Sequence, residues 1–529
     1  MTDTSDNSAP ATRPNVLVVV TDQHRADHVG FMGNDVVRTP NLDALASSGA
    51  VFTNAWVANP VCMPNRSSIM TGRMPSAHGV IFNDRSLEWG AATHVSQFRS
   101  AGYRTALIGK SHLQHGMSRN SIMTVDAPPT VDHGYARGWD QLEHFENYDG
   151  QELPEWPDDF YGFGHVELAI DHGARVTGHH LHWALDKGGR YEDLVVPYGP
   201  ESPARRRSDR WWQVYEPPYD PELHSTNFVT ERTIAFIEDA AAADEPWYAW
   251  ASFPDPHHPM SPPGEWFDRH APAHMELPSS INDPLEHGPA YLRHVQQMPP
   301  AEQRSWVSPS GATDHELIRE SIAATYGMIE FVDDGVGRIM AAIAAQGQAD
   351  NTIVVFTSDH GDMMGEHGLM LKGFMPFSGT QHVSLVVADP RRAPSRTASL
   401  ASSIDLAPTL MELCDVAPHD GIQGQSLVPV LDDPASQVRD HVLVEDDVRT
   451  RLAKALRIPH RSRTIVTDDN TKYTRFSTGE SMLFDLTSDP TEVSEIGHQD
   501  TAAKAIANER LVDALMNASD DARGAPVSS

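Results

Sequence analysis

An α/β fold, with a large, mainly parallel mixed sheet flanked by helices, is what this sequence predicts, and three observations lead there. Continuous, mostly β-branched runs recur along the chain, the pattern of strands buried on both faces. Helix-period stretches alternate with them, which argues for parallel strands with crossover helices on both sides of the sheet. Each run also ends in residues that can do chemistry, and ligands bind beyond the carboxyl ends of strands in such sheets.

The first run is Asn15-Val16-Leu17-Val18-Val19-Val20-Thr21-Asp22-Gln23. A shorter one follows at Arg104-Thr105-Ala106-Leu107-Ile108-Gly109-Lys110. Trp247-Tyr248-Ala249-Trp250-Ala251-Ser252-Phe253 then leads into Pro254-Asp255-Pro256-His257, and Thr352-Ile353-Val354-Val355-Phe356-Thr357-Ser358 into Asp359-His360. Helices are expected over Thr39 to Ser48, Ser96 to Ala101, Thr226 to Ala243 and Ile318 to Gln346. Residues 116–221 and 262–311 are rich in Gly, Pro, His and Asp without sustained period, and are expected to be long loops serving as lids, binding loops or oligomer contacts. Thr464 to Phe476 and Met482 to Leu486 predict short strands, and Thr501 to Asn517 a final helix. The expected organisation is a disordered lead over residues 1–14, a catalytic α/β domain over 15–440, a smaller C-terminal α+β subdomain over 441–517 and a flexible tail over 518–529.

Lys+Arg 40 against Asp+Glu 73 leaves a net charge of −33. That field repels nucleic acid and anionic membranes at long range, so an anionic substrate must be drawn by cations gathered in a cleft. Arg205-Arg206-Arg207 with Trp211-Trp212 is accordingly read as a loop rim or subunit contact rather than an RNA site. The lead lacks a basic n-region and apolar h-region, and no 18-residue apolar run occurs, so a cytoplasmic protein is expected. With two cysteines there is no disulfide framework. Cys414 follows an apolar stretch and is expected to be buried at a helix; Cys62, in a polar turn bounded by Pro60 and Pro64, needs another explanation.

The explanation lies in Cys62-Met63-Pro64-Asn65-Arg66-Ser67-Ser68-Ile69-Met70-Thr71-Gly72-Arg73. This string resembles the sulfatase signature C-x-P-x-R followed by T-G, in which the cysteine is oxidised to formylglycine. Further matches run in order through Thr39-Pro40-Asn41-Leu42-Asp43, Gly109-Lys110-Ser111-His112, Pro256-His257-His258-Pro259, Ser358-Asp359-His360-Gly361-Asp362 and Gly365-Glu366-His367-Gly368 on to Lys372. The resemblance implies an alkaline-phosphatase-like fold and hydrolysis of a small anionic sulfate ester, aryl or alkyl. It implies a divalent metal held by Asp22, Gln23, Asp359 and His360 together with residue 62, and a formylglycine-generating enzyme as a partner. A homo-oligomer is expected.

By the same resemblance Arg66 orients the hydrated aldehyde, and Lys110 and Lys372 stabilise charge on the transferring group and leaving oxygen. His112 is the base that breaks the adduct, His257 the acid at the leaving group, and Asn83 a further contact to substrate oxygens. The chemistry needs these types. One geminal hydroxyl attacks sulfur, with the metal lowering its pKa, and the other, once deprotonated, expels the inorganic group. A plain serine has no such second exit.

Two positions depart from the common pattern. Many relatives carry two aspartates at positions 22–23 and Asp-Asn at 359–360; Asp-Gln with Asp-His instead resembles phosphonate monoester hydrolases and choline sulfatases. Oxygen ligands favour Ca²⁺ or Mg²⁺, and adding imidazole moves the preference toward Mn²⁺ or Zn²⁺; Ca²⁺ or Mn²⁺ is expected. Lys110-x-His112 is the sulfatase arrangement, so sulfate is expected over phosphonate or phosphodiester.

Overall fold

Strand β1, Asn15–Thr21, is buried along its whole length. Alternate side chains of a strand point to opposite faces, so Val16, Val18 and Val20 enter one hydrophobic core and Leu17 and Val19 another. The protein is described by a computed structural model over residues 13–116, 135, 138–148, 152–195, 199–298, 310–450, 453–454 and 457–518. The lead before residue 13, the tail beyond 518 and parts of both long loops lie outside the described residues.

The main sheet adds β2 (Ala50–Trp56), β3 (Arg104–Gly109), β4 (His165–Leu168), β5 (Trp247–Phe253), β6 (Thr352–Ser358), β7 (His382–Ala388) and β8 (Ser395–Thr397). Their order is β8-β2-β7-β6-β1-β5-β3-β4, and β9 (Ala401–Ser402) also pairs with β2. From β6 through β1, β5 and β3 to β4 every pairing is parallel, whereas β7 runs antiparallel to both β6 and β2. Helices α1 (Pro40–Ser48), α4 (Ser225–Ala243) and α5 (His315–Ala345) cover one face. The other is covered by α2 (Cys62–Thr71), α3 (His94–Ser100) and α6 (Leu406–Leu413). Cys414 caps α6 and is buried, as expected.

At the C-terminus β10 (His441–Asp447), β11 (Arg461–Thr467), β12 (Thr471–Phe476) and β13 (Ser481–Asp485) form an antiparallel sheet in sequence order. Leu443, Ile465, Tyr473 and Leu483 from it meet Ala507, Leu511 and Ala514 of α7 (Thr501–Asn517), and the same cluster includes Ala58 and Met74 beside α2.

Several expectations need correction. The stretch 116–221 is not only loop: it supplies β4 and a helix at His179–Asp186, while 262–311 supplies a helix at Ala290–Gln296. The short strands expected over Thr464 to Phe476 begin earlier, at Arg461, and pair as a hairpin. The reading of Arg205-Arg206-Arg207 as a loop rim needs no such change: Arg206 pairs with Glu216 and Asp268, Arg205 with Asp220, and Trp211 and Trp212 are buried. Among the described residues no helix is long and apolar enough to cross a membrane.

Candidate active site

Adjacent parallel strands in matched register deliver the acidic residues side by side. Thr21 of β1 is level with Ser358 of β6, so Asp22 and Asp359 emerge together at the carboxyl edge. Asp359 donates its N–H to the Thr21 carbonyl at 3.1 Å, and the Gln23 N–H reaches Asp359 Oδ1 at 3.1 Å. Gln23 adopts φ +61°, an uncommon conformation for a side-chain-bearing residue. On the other flank, Lys110 follows Gly109 and donates its N–H to the Ser252 carbonyl of β5 at 2.9 Å.

Cys62 is the first residue of α2, and every residue of that helix is buried. Pro64 is tolerated because first-turn N–H groups lack helical partners anyway. The helix ends at Gly72, whose φ of +63° lets its N–H close back on Ser68 at 2.8 Å. The N-terminus of a helix favours negative charge, and here it carries the Cys62 sulfur. Sγ lies 3.2 Å from His360 Nε2, 3.8 Å from Asp22 Oδ1 and 2.9 Å from Lys372 Nζ. One turn on, Arg66 Nε donates to Asp359 Oδ2 at 2.7 Å and Nη2 sits 3.6 Å from Asp22 Oδ2, while Nη1 holds the Lys110 carbonyl and Ser252 Oγ. Arg66 therefore ties the ends of β1, β6, β3 and β5 to the helix.

The two lysines arrive from opposite sides. Lys110 pairs with Asp22; Lys372 meets His257 Nε2 at 2.8 Å and His360 Nε2 at 2.9 Å. An ammonium only donates, so His257 Nε2 accepts, and the His257 Nδ1–H points at the His258 carbonyl. His112, at φ +57°, is set by Glu143, whose carboxylate accepts the backbone N–H groups of His112, Leu113 and Gln114 and the Ser111 hydroxyl. Asn83 accepts the Met63 N–H at 3.0 Å and so lies one residue from Cys62. The structure thus gathers Asp22, Cys62, Arg66, Lys110, His112, His257, Asp359, His360 and Lys372, with Asn83 beside them. The Gln23 amide is instead held by Asp362 and by His258.

Four residues were given no role by the sequence reading. His172 touches Lys110 and stacks on His257; His258 and Asp362 hold Gln23; Glu143 shapes the His112 turn. A signal for His172 existed: Asp171-His172-Gly173, shortly beyond the end of β4, repeats the Asp359-His360-Gly361 triplet that directly follows β6.

Electrostatically the site is built for an anion at position 62. Burial would push the Cys62 thiol up, but Lys110, Lys372 and His360 hold it well below the usual thiol range. Burial and the Cys62 charge push Asp22 up, yet Lys110, Lys372 and Arg66 outweigh them and hold it below the usual carboxylate range. Burial pushes His112 down to about 3, reinforced by Lys110. Burial, His172 and Lys372 push His257 well down, so both imidazoles are neutral. His360 is raised: burial opposes its charge, and Asp359 and Cys62 together more than offset that.

The donor set fits a divalent cation. Asp22, Cys62, Asp359 and His360 each offer a ligand atom, all four lie within 4.8 Å of one another, and all four residues are buried. Two buried carboxylates beside an imidazole neutralise such an ion.

A carboxylate-rich, lysine-flanked centre around a helix-borne cysteine, at the carboxyl edge of this sheet, is the construction of the alkaline phosphatase superfamily. The chain belongs to the sulfatase family, whose profile matches residues 14–416. A second profile, N-sulphoglucosamine sulphohydrolase, C-terminal, matches residues 365–520. The chain is 28% identical over 494 residues to an arylsulfatase of Clostridium perfringens, covering 92% of this chain and 90% of that protein. It is 26% identical over 495 residues to the choline-sulfatase of Rhizobium meliloti, covering 92% and 82%. Among solved structures, the phosphonate monoester hydrolase of Agrobacterium radiobacter superimposes with a TM-score of 0.76 at 25% identity, covering 96% of each chain.

Proposed function

We propose that this sulfatase hydrolyses small aryl or alkyl sulfate monoesters with formylglycine at position 62 and one divalent cation, Ca²⁺ or Mn²⁺. The observation that carries the reading is the surround of Cys62, where two carboxylates, three cationic side chains and two neutral imidazoles converge on one buried atom. Asp22, Asp359 and His360 would hold the cation, with Gln23 turning from Asp362 to join them. When bound, the cation supplies positive charge that lowers the pKa of the attacking hydroxyl and draws the ester oxygens. Formylglycine, when formed, supplies that hydroxyl and a second one for release.

The chain's own residues do the rest. Lys110 and Lys372 neutralise the sulfate oxygens, which compensates for the net charge of −33 that repels an anion at a distance. Arg66 keeps the two carboxylates apart and aimed. Lys372 and His257 hold a proton between them, and that pair delivers it to the departing alkoxide as the sulfur–oxygen bond breaks. His112 takes the proton whose loss lets sulfate leave. One water is consumed, and an alcohol and hydrogen sulfate are released. A cytoplasmic homo-oligomer, modified by a formylglycine-generating enzyme, completes the proposal.

Phosphonate monoesters are the second reading, favoured by Gln23 and His360 and by the likeness to a phosphonate monoester hydrolase. The test has two parts. Mass spectrometry across Cys62 in active enzyme should find sulfur replaced by an aldehyde oxygen; fully active protein with an intact thiol sinks the nucleophile. Sulfate should then lead in kcat/KM for matched p-nitrophenyl sulfate and phenylphosphonate, and Lys110→Ala should cost sulfate more. A phosphonate lead hands the function to the second reading.

A further inference from the structure

Beyond the residues the sulfatase resemblance names, His172 occupies the centre of the cationic side of the site. It comes from the turn that follows β4, within the long stretch that carries none of the family motifs. Its Nε2 contacts the Lys110 ammonium and lies 3.6 Å from Asp22 Oδ2. Its ring lies parallel to His257, with centroids 3.7 Å apart, and edge-on to His112 at 5.8 Å. Behind it, Nδ1 sits 3.3 Å from Asp171 Oδ1, which also accepts the His172 backbone N–H at 3.1 Å. Asp171 has φ +79° and lies 3.7 Å from Arg175 Nη1.

These contacts assign the tautomer. Lys110 can only donate, so Nε2 accepts; the neutral ring then carries its proton on Nδ1 and donates it to a carboxylate that can only accept. The chain Asp171–His172–Lys110–Asp22 is therefore a directed series of donors and acceptors. The histidine flat face fixes His257 at the same time.

We propose that His172 is a positioning residue for leaving-group departure: held by Asp171, it aims the Lys110 ammonium and braces the His257 ring so that both act on the departing oxygen. This rests on the hydrolase reading above and deepens it. Its physical content is a difference between substrates. A good leaving group departs with little help, whereas a poor one needs charge stabilisation and a proton at the right place. An acid or cation displaced by about 1 Å loses on the order of 100-fold, and that loss falls on poor leaving groups.

The experiment measures kcat and KM for metal-loaded, modified enzyme on aryl sulfates graded from 4-nitrophenol to unsubstituted phenol as leaving group. Compared with wild type, His172→Ala should lower kcat by about 100-fold for phenyl sulfate and less than about 10-fold for 4-nitrophenyl sulfate, with KM little changed. His172→Gln keeps an acceptor near the Nε2 position and should recover part of the phenyl sulfate rate. Asp171→Asn should steepen the leaving-group dependence less than His172→Ala does. A crystal structure of His172→Ala should find the Lys110 ammonium or the His257 ring displaced. Equal losses across the series, or undisturbed Lys110 and His257, would overturn the inference while leaving the hydrolase reading intact. If His172→Ala fails to fold, the same slope is read from His172→Gln, and a wild-type slope there overturns it. Wild type that turns over phosphonates instead is tested on the matched phosphonate series with the same outcomes. Wild type inert to every aryl ester would overturn the hydrolase reading, and this one with it.

Discussion

At the scale of single residues, Asp22 and Asp359 bear the heaviest load. Each is fully buried, each is paired to Arg66, and each offers an oxygen to the cluster around Cys62. Removing one leaves a buried guanidinium or ammonium without its counter-charge, which costs about 3–5 kcal/mol for a buried pair, and leaves a bound cation under-neutralised. Asp22→Ala and Asp359→Ala should lose stoichiometric metal by elemental analysis and at least about 100-fold in kcat; full activity in metal-stripped protein excludes this centre. These residues were legible in the sequence because each stands at the end of a continuous, mostly β-branched run, and the same grammar exposed Lys110 and His257. Glu143 and Asp362 carried no such signal, and His172 only its Asp-His-Gly repeat. Their partners are separated by 31, 339 and 62 positions, and only the folded chain pairs a carboxylate with the backbone turn it organises.

At the scale of elements, strands buried on both faces announced themselves, and so did long helices. The four long runs became β1, β3, β5 and β6, and α4 and α5 began within three residues of the reading. Strands β2, β4, β7 and β10 stayed hidden for different physical reasons. Strand β4 has four residues at the sheet margin, three of them only partly buried, so it carries no continuous apolar run. Strand β10 ends in Glu445-Asp446-Asp447, acids buried against Ser76, Phe374 and Arg463, which read as surface until the partners are known. Joints between elements are as exacting as the elements. Gly109 has φ +101°, and a Cβ there would lie 1.9 Å from the Ser252 carbonyl oxygen, the acceptor for the Lys110 N–H. Gly109→Ala must pry the end of β3 from β5 and carry Lys110 away from Asp22. It should destabilise the protein by about 2–4 kcal/mol in denaturant titration, from left-handed strain and overpacking, and lower kcat/KM beyond what the loss of folded protein explains. A variant with wild-type kinetics would show the joint to be slack.

Over the whole molecule, acid stability depends on imidazoles that the fold keeps neutral outside the cluster around Cys62. His94 is the clearest case. It is fully buried in the first turn of α3, with Nδ1 3.0 Å from the Met70 carbonyl and Nε2 2.7 Å from the Tyr248 hydroxyl, between the rings of Phe98 and Tyr248. The carbonyl only accepts, so Nδ1 carries the proton and Nε2 takes the tyrosine's. Burial pushes this histidine down to about 4 from 6.5, and a helix N-terminus adds to the cost of a cation there. His180, likewise buried, is pushed to about 4. Between pH 6.5 and 4 the unfolded chain binds the proton and the folded chain does not, so unfolding gains protons and stability falls as pH falls. The contribution is complete above pH 6.5, and its loss by pH 4 is on the order of 3 kcal/mol for His94. Bulk charge works the other way, because acid relieves the self-repulsion of a chain at −33, so the raw pH profile mixes both effects. A difference measurement separates them. His94→Gln keeps one donor and one acceptor but cannot titrate, and changes nothing else in the charge balance. The gap in unfolding free energy between wild type and His94→Gln should be flat above pH 6.5, with wild type the more stable. It should shrink steadily toward pH 4, as read by urea denaturation at fixed ionic strength. A gap independent of pH would mean that His94 takes its proton in the folded state as readily as in the unfolded one, and that the acid limb comes from other groups.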